Sequence, residues 1–232
     1  MRKAFLLARR EIIEQYSDRG AVIRALFFVA LPVVLVSINR GGGRSPDTLV
    51  LLFALQAALL PAATAINAAA GSFAAEKEAQ TLVPLLAAPI RDIDIVAGKL
   101  LGVLAPAAGL SMLSLAAYYT AASAVFGQAR VAQLLNPATL YGLFALAVLF
   151  ILTVGAWVMV VSARVSSQRT AQQIAGFVLA GMIVLLSTVG ASLQNLTTEL
   201  ILGIVVVIVV SDLVALELAR RFWNREEAIA RL

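Results

Sequence analysis

Hydrophobic and polar positions along this chain resolve into one amphipathic stretch followed by six long apolar runs. Residues 2–18, RKAFLLARREIIEQYSD, place Phe5, Leu6, Ile12, Ile13 and Tyr16 on one side at helical spacing. Lys3, Arg10, Glu11, Glu14 and Asp18 fall on the other side, with Leu7 the exception among them. Arg9 sits within the apolar arc, where its long stem can snorkel. The pattern predicts a helix lying flat on a membrane surface before the chain turns inward at Gly20. The apolar runs cover residues 21–38, 49–70, 100–122, 140–163, 174–193 and 200–218. A membrane-crossing helix needs roughly 17–25 residues, so each run predicts a span, the last two with least to spare. Pro32, Pro61 and Pro106 fall inside three of these runs and are expected to kink them.

Between the runs lie Asn39–Thr48, Gly71–Lys99, Ser123–Thr139, Arg164–Gln173 and the short turn Gln194–Glu199, and the chain closes on Ala219–Leu232. Gly71–Lys99 is the longest of these interruptions. It is charged toward its ends (Glu76, Lys77, Glu78, then Arg91, Asp92, Asp94, Lys99) and apolar in the middle. Thr81 is placed to cap a short helix beginning at Leu82, with Pro84 tolerated in its first turn and Pro89 ending it. Asp92 or Asp94 can then cap the helix that becomes the third span. Leu82, Leu85 and Leu86 on the short helix either pack back on this protein or fit a groove in a partner.

Composition confirms the solvent. The chain has 232 residues, 61% hydrophobic and 13% charged, whereas soluble domains carry about 25% charged residues. Its mean hydropathy is +0.94. We therefore expect a single all-α integral membrane domain over residues 1–232, with residues 1–20 as the interfacial helix and 71–99 as a water-exposed loop. No cleavable signal is expected, because the first long apolar run begins only after residue 20. The net charge of +5 is a matter of topology. Fifteen of the Lys and Arg residues lie in the amino end through Arg24, the 71–99 and 164–173 segments and the tail, against only Arg40, Arg44 and Arg130 elsewhere. By the positive-inside rule both termini and the 71–99 loop are cytoplasmic, and a nucleic-acid partner is not expected.

Candidate chemistry is sparse. With no Cys and no His there is no disulfide, no thiolate or imidazole metal ligand and no Ser–His or Cys–His nucleophile. Gly98–Lys99 lacks the first glycine of a phosphate-binding loop, since Ile93 stands at its position. Glu76 and Glu78, two apart, point in different directions on a helix and cannot work as an acid/base pair. An intramembrane aspartyl protease needs two buried acids, and only Asp212 lies deep in a span. No catalytic residue, metal site or cofactor of the chain's own is expected. Gln56, Thr64 and Asn67 share about one third of the second span's circumference and either pack helices or line a path. Gly102, Ala105, Pro106 and Gly109 form a short small-residue face on the third span, where another helix can approach closely. Asp212 lies roughly 12 Å inside the boundary marked by Arg220. It either pairs with Arg24, Lys99 or Arg164 or lines an inner vestibule.

Three stretches together resemble a family. They are Glu76-Lys-Glu78-Ala-Gln-Thr81-Leu82 with Leu85-Leu86-Ala-Ala-Pro89-Ile90 and Gly98-Lys99, then Ser162-Ala-Arg164 through Arg169-Thr-Ala-Gln-Gln173, then Phe222-Trp-Asn-Arg225-Glu226-Glu227. This order is similar to that of the ATP-binding-cassette (ABC) type-2 transporter permeases. The chain departs from the common pattern at Gln80, where Gly is usual, at Val83, where an acid is usual, and in the brevity of Gln194–Glu199. The resemblance implies six membrane-spanning helices and a non-enzymatic permease, in most members an exporter, in a bacterial inner membrane. Its partners would be a second copy or a similar permease, the membrane lipids, and two ATPase subunits that bind ATP and magnesium. It further implies that Glu76, Glu78 and Thr81 orient a cytoplasmic coupling helix and that Leu82, Leu85 and Leu86 dock it. Ser166 through Gln173, including Arg169, would make a second, smaller contact. A membrane anchor or assembly scaffold for a soluble partner is the competing expectation. An ion-coupled secondary transporter is disfavoured by the shortage of buried ionisable groups.

Overall fold

A computed structural model of the chain describes residues 2–17, 19–38, 45–78, 92–165, 167, 169–177, 180, 181, 184, 206, 208–215, 217 and 218. Among them there are helices and no strand. Helix α1 is Arg2–Ser17, α2 Arg19–Ile38, α3 Pro46–Leu59 and α4 Ala62–Glu78. Helix α5 is Asp92–Phe126, α6 Gln128–Leu134 and α7 Pro137–Arg164. Four stretches are long and apolar enough to cross a membrane: Arg19–Ile38, Pro46–Ser72, Asp94–Phe126 and Pro137–Ser162. They coincide with the first four expected spans. The expected fifth and sixth, 174–193 and 200–218, lie largely outside the described residues, of which 169–177 and 208–215 are helical.

Helix starts follow local chemistry. Ser45 caps α3 by accepting from the Thr48 N–H, Asn136 caps α7 by accepting from the Thr139 N–H, and each cap is followed by a proline whose missing donor costs nothing there. Gly127, at φ 91°, turns the chain from α5 into α6, a conformation that a side chain would strain. Of the three internal prolines, only Pro61 breaks a helix; Pro32 and Pro106 sit inside α2 and α5. At the break the Ala63 and Thr64 N–H groups bond the Leu60 and Pro61 carbonyls at 3.0 Å, a tightened turn that absorbs the donor proline lacks.

The continuous stretch from α3 through α4 is the centre of the bundle. Its most apolar window is 89% buried, against 22% for α2, which turns Ile23, Leu26, Phe27, Val34 and Ile38 outward. Ala54, Ala57, Ala58, Ala62, Ala63, Ala65, Ala69, Ala70 and Ala74 are all fully enclosed. Such a surface lets neighbouring backbones come close without a hydrophobic driving force between lipid-solvated helices. Helix α5 buries Leu100, Val103, Ala107, Ser111, Ser114, Leu115, Tyr118 and Ala122, one stripe at helical spacing. Tyr118 donates from its hydroxyl to the Val50 carbonyl at 2.8 Å and joins α5 to the start of α3. At that same end Arg130 meets Asp47 at 3.3 Å, bringing together two connections expected on the outer side.

Two boundaries differ from the sequence pattern. The polar stretch 71–99 is helical at both ends: α4 runs on to Glu78, past its apolar run, while α5 begins at Asp92, in keeping with the cap expected at Asp92 or Asp94. Helical hydrogen bonding does not stop where hydropathy drops. At about 1.5 Å per residue the 35 residues of α5 reach roughly 50 Å, well beyond a hydrocarbon layer of about 30 Å. Asp94 falls in its first turn, where negative charge suits the positive helix end. The connection Ser123–Thr139 contains α6, whose Val131 is fully buried.

Candidate functional site

The polar end of the bundle is organised around Lys99. Its side chain is only 2% exposed, a placement that requires partners for the ammonium. The Nζ donates to Glu11 Oε1 on α1 at 2.8 Å and to the Ser72 carbonyl on α4 at 2.8 Å. Lys99 itself lies on α5, so one cation ties three helices. Gly102, one turn on, makes the approach possible: a Cβ there would lie 2.7 Å from the Glu11 Cβ. Two residues along α4, the Ser162 hydroxyl donates to the Ala70 carbonyl at 2.8 Å and accepts from the Ala74 N–H at 3.1 Å. Those two backbone groups stand four apart, the spacing of one helical hydrogen bond, and the hydroxyl from α7 sits on both. The turn Ala70–Ala74 is therefore gripped by α5 from one side and by α7 from the other.

Helix α1 meets this junction with one edge of its polar side, Arg10 and Glu14 staying exposed. Ala8 is buried, Leu7 reaches the core and Glu11 binds Lys99, while Phe5, Leu6, Ile13 and Tyr16 point outward. Partial burial raises the Tyr16 phenol above its ordinary pKa. The expected small-residue face of α5 works only in part. Gly102 receives α1, but Ala105 is exposed, and a Cβ on Gly109 would meet nothing within 4 Å.

Glu76 and Glu78 lie on the last turn of α4, an extension of the second span. Thr81, Leu82, Leu85 and Leu86 lie outside the described residues. Arg169 is exposed on the helical stretch 169–177, shortly after α7 ends. The three polar residues of the second span do not face one space. Thr64 is buried and donates to the Pro61 carbonyl at 2.7 Å, mending the proline break. Asn67 is exposed and donates to the Ala63 carbonyl at 3.0 Å, and Gln56 is half-buried.

Asp212 is 4% exposed, and neither carboxyl oxygen has a hydrogen-bond partner among the described residues. The Thr153 hydroxyl lies beside it but donates to the Leu149 carbonyl at 2.9 Å. The neighbouring Ser211 accepts from the Trp157 indole at 2.9 Å, which seats this helix along α7. Lys99, one of the three cations considered for Asp212, is engaged by Glu11 instead. Among the described residues no three acidic side chains gather as a metal-binding group.

The sequence model of the ABC-2 family transporter proteins matches residues 6–204, from α1 through the 71–99 and 164–173 segments. The chain belongs to this family. It is thus a multi-pass membrane protein and a permease subunit of an ABC transporter, and membership in the ABC-2 family implies an ABC ATPase as partner. No curated protein matches the chain.

Sequence reading of this ABC-2 permease offered Lys99 as a partner for Asp212, not for Glu11, and missed Glu11 and Ser162 as structural partners. Two signals mark a contact of α1 and of α5, and neither names the residue across it. Leu7 breaks the polar side of α1 one turn before Glu11, and Gly102 stands one turn beyond Lys99 on the same side of α5.

Proposed function

We propose that this permease works as an exporter in a bacterial cytoplasmic membrane, with both termini inside. Two ATPase subunits carry ATP and magnesium, and the permease, paired with a second copy or a homologous permease, catalyses nothing itself. The α1 helix lies in the interface, its outward Phe5, Leu6, Ile13 and Tyr16 toward lipid. A coupling helix within 79–91 is oriented by Glu76, Glu78 and Thr81 and docked by Leu82, Leu85 and Leu86, and Arg169 belongs to the second contact. The observation that carries this reading is the family match over residues 6–204, which spans both ATPase-facing segments. Asp212, a buried acid with no hydrogen-bond partner among the described residues, either lines the path between helices or forms an ion pair with a cation such as Arg24 or Arg164. Thr64, buried and bonded to its own helix, is assigned to helix packing, and Gln56 and Asn67 either pack helices or line a path.

Leu85→Asp tests the docking role. It places a charge in the proposed docking face at a cost of roughly a few kcal/mol if that face is desolvated. The permease should still insert and dimerise but lose its cognate ATPase on purification. Unchanged co-purification would refute the coupling helix.

A further inference from the structure

We propose that Lys99 and Ser162 are positioning residues that fasten α1 and both ATPase-facing segments to the single turn Ala70–Ala74 of α4, so that these parts move as one block. The inference rests on the permease reading above and adds the parts through which movement is passed on. The segment 79–91 leaves α4 seven residues after Ser72 and rejoins α5 eight residues before Lys99. The Lys99 ammonium bonds the Ser72 carbonyl and so joins the two helices that frame this segment. A push on 79–91 cannot spread α4 from α5 without pulling a nearly fully buried ammonium off its carbonyl. The same ammonium holds Glu11, so α1 must follow. Gly102 keeps α1 and α5 too close for any intervening side chain.

The second segment is fastened to the same turn. Ser162 stands two residues before the end of α7, directly ahead of 164–173, and its hydroxyl spans the Ala70 carbonyl and the Ala74 N–H. Lys99 and Ser162, which follow and precede the two segments in the chain, thus bond α4 within five residues of each other. Helix α1 carries the outward apolar side chains Phe5, Leu6 and Ile13, so displacement of the block drags an anchor through the interface. The block therefore converts a push on the loop into a shift of α1 relative to the outer ends of the spans.

Hydrogen exchange on the permease alone and on the permease–ATPase complex in nanodiscs tests this. In the isolated permease, Lys99→Met should speed exchange across residues 5–17 at least about tenfold, because α1 loses its tether. Lys99→Arg, which keeps the charge, should restore protection. In the complex, trapping with ATP and vanadate should change exchange in 79–91, in 70–78 and in α1 together. Lys99→Met should abolish the α1 response and leave the 79–91 response in place, and Ser162→Ala should detach the response of 167–175 in the same way. Gly102→Ala provides a variant that keeps every charge. It raises helix propensity in α5 yet forces the Glu11 Cβ away, and it should also silence α1. An α1 response that survives both Lys99→Met and Gly102→Ala overturns the proposal, as does unchanged α1 protection in the isolated Lys99→Met permease. If the parent complex shows no response in 79–91, the coupling-helix reading fails, and the isolated permease still decides whether Lys99 holds α1.

Discussion

Glu11→Met should destabilise this permease more than Glu11→Met combined with Lys99→Met. In the parent, Lys99 is 2% exposed and Glu11 28%, with 2.8 Å between Nζ and Oε1. Removing one partner of a fully buried pair costs about 3–5 kcal/mol, because the remaining charge stays desolvated and unpaired. Here Glu11 is partly open and the Ser72 carbonyl still accepts from the ammonium, so the loss is reduced to about 2–3 kcal/mol. At about 2–4 °C per kcal/mol for a chain of this size, the apparent melting temperature falls by roughly 5–10 °C. The double variant replaces both charges with flexible apolar side chains in a site already closed over by α1. It should recover to within about 1 kcal/mol of the parent, since an apolar pair needs no partners. Thermal unfolding followed by fluorescence-detected size exclusion measures both, with Lys99→Met alone completing the cycle. A Glu11→Met protein as stable as the parent, or a double variant that loses the sum of the single losses, would refute the view of Lys99 as a cation held by its partners.

The remaining predictions concern topology and the buried acid. Cysteines introduced at Ser45 and Gln133 should label from outside intact cells, and those at Ala79 and Ser167 should not; outside labelling at Ala79 would overturn the inside placement of the coupling segment. If Asp212 lines the path, Asp212→Asn should melt within about 2 °C of the parent, since no hydrogen bond to the carboxyl is lost among the described residues. It should nonetheless change the ATPase activity stimulated by transported substrate, and a loss of several degrees with unchanged activity would place Asp212 in a structural ion pair.

Much of this architecture was legible because lipid solvation writes itself into hydropathy. The four described spans coincide with apolar runs, and Leu7, the residue that broke the polar side of α1, marks the side that meets the protein. Hydropathy locates the lipid boundary, however, and the helices ignore it. That is why Gly71–Glu78 reads as loop yet continues α4, whereas the start of α5 at Asp92 agrees with the cap expected at Asp92 or Asp94. The Lys99 junction was illegible for a different reason. Glu11 and Lys99 are separated by 88 positions, and helical periodicity tells which side of α1 is polar without telling what that side touches. Small residues likewise announced a close approach at Gly102 and at Gly109 alike, and only the first was used. The polar stripe Gln56, Thr64, Asn67 was read on an unbroken helix. At Pro61 the helix breaks, and Thr64 turns its hydroxyl to the carbonyl that the break leaves open.

The enclosed alanines along the central stretch carry a thermodynamic consequence of their own. A buried Leu or Met gives up side-chain freedom when it is fixed, roughly 0.5–2 kcal/mol each, whereas alanine has no rotamers to lose. Nine such alanines therefore come into contact with their neighbours almost free of entropic penalty. The alanines themselves offer nothing to interlock. A helix faced with methyl groups meets low steric barriers to small sliding displacements, while one studded with leucines must lift each knob from its hole. The central stretch of this permease combines both: its alanines are interleaved with the buried Phe53, Leu55, Leu59 and Ile66, so small sliding is cheap at the alanine steps and resisted where the large side chains are seated.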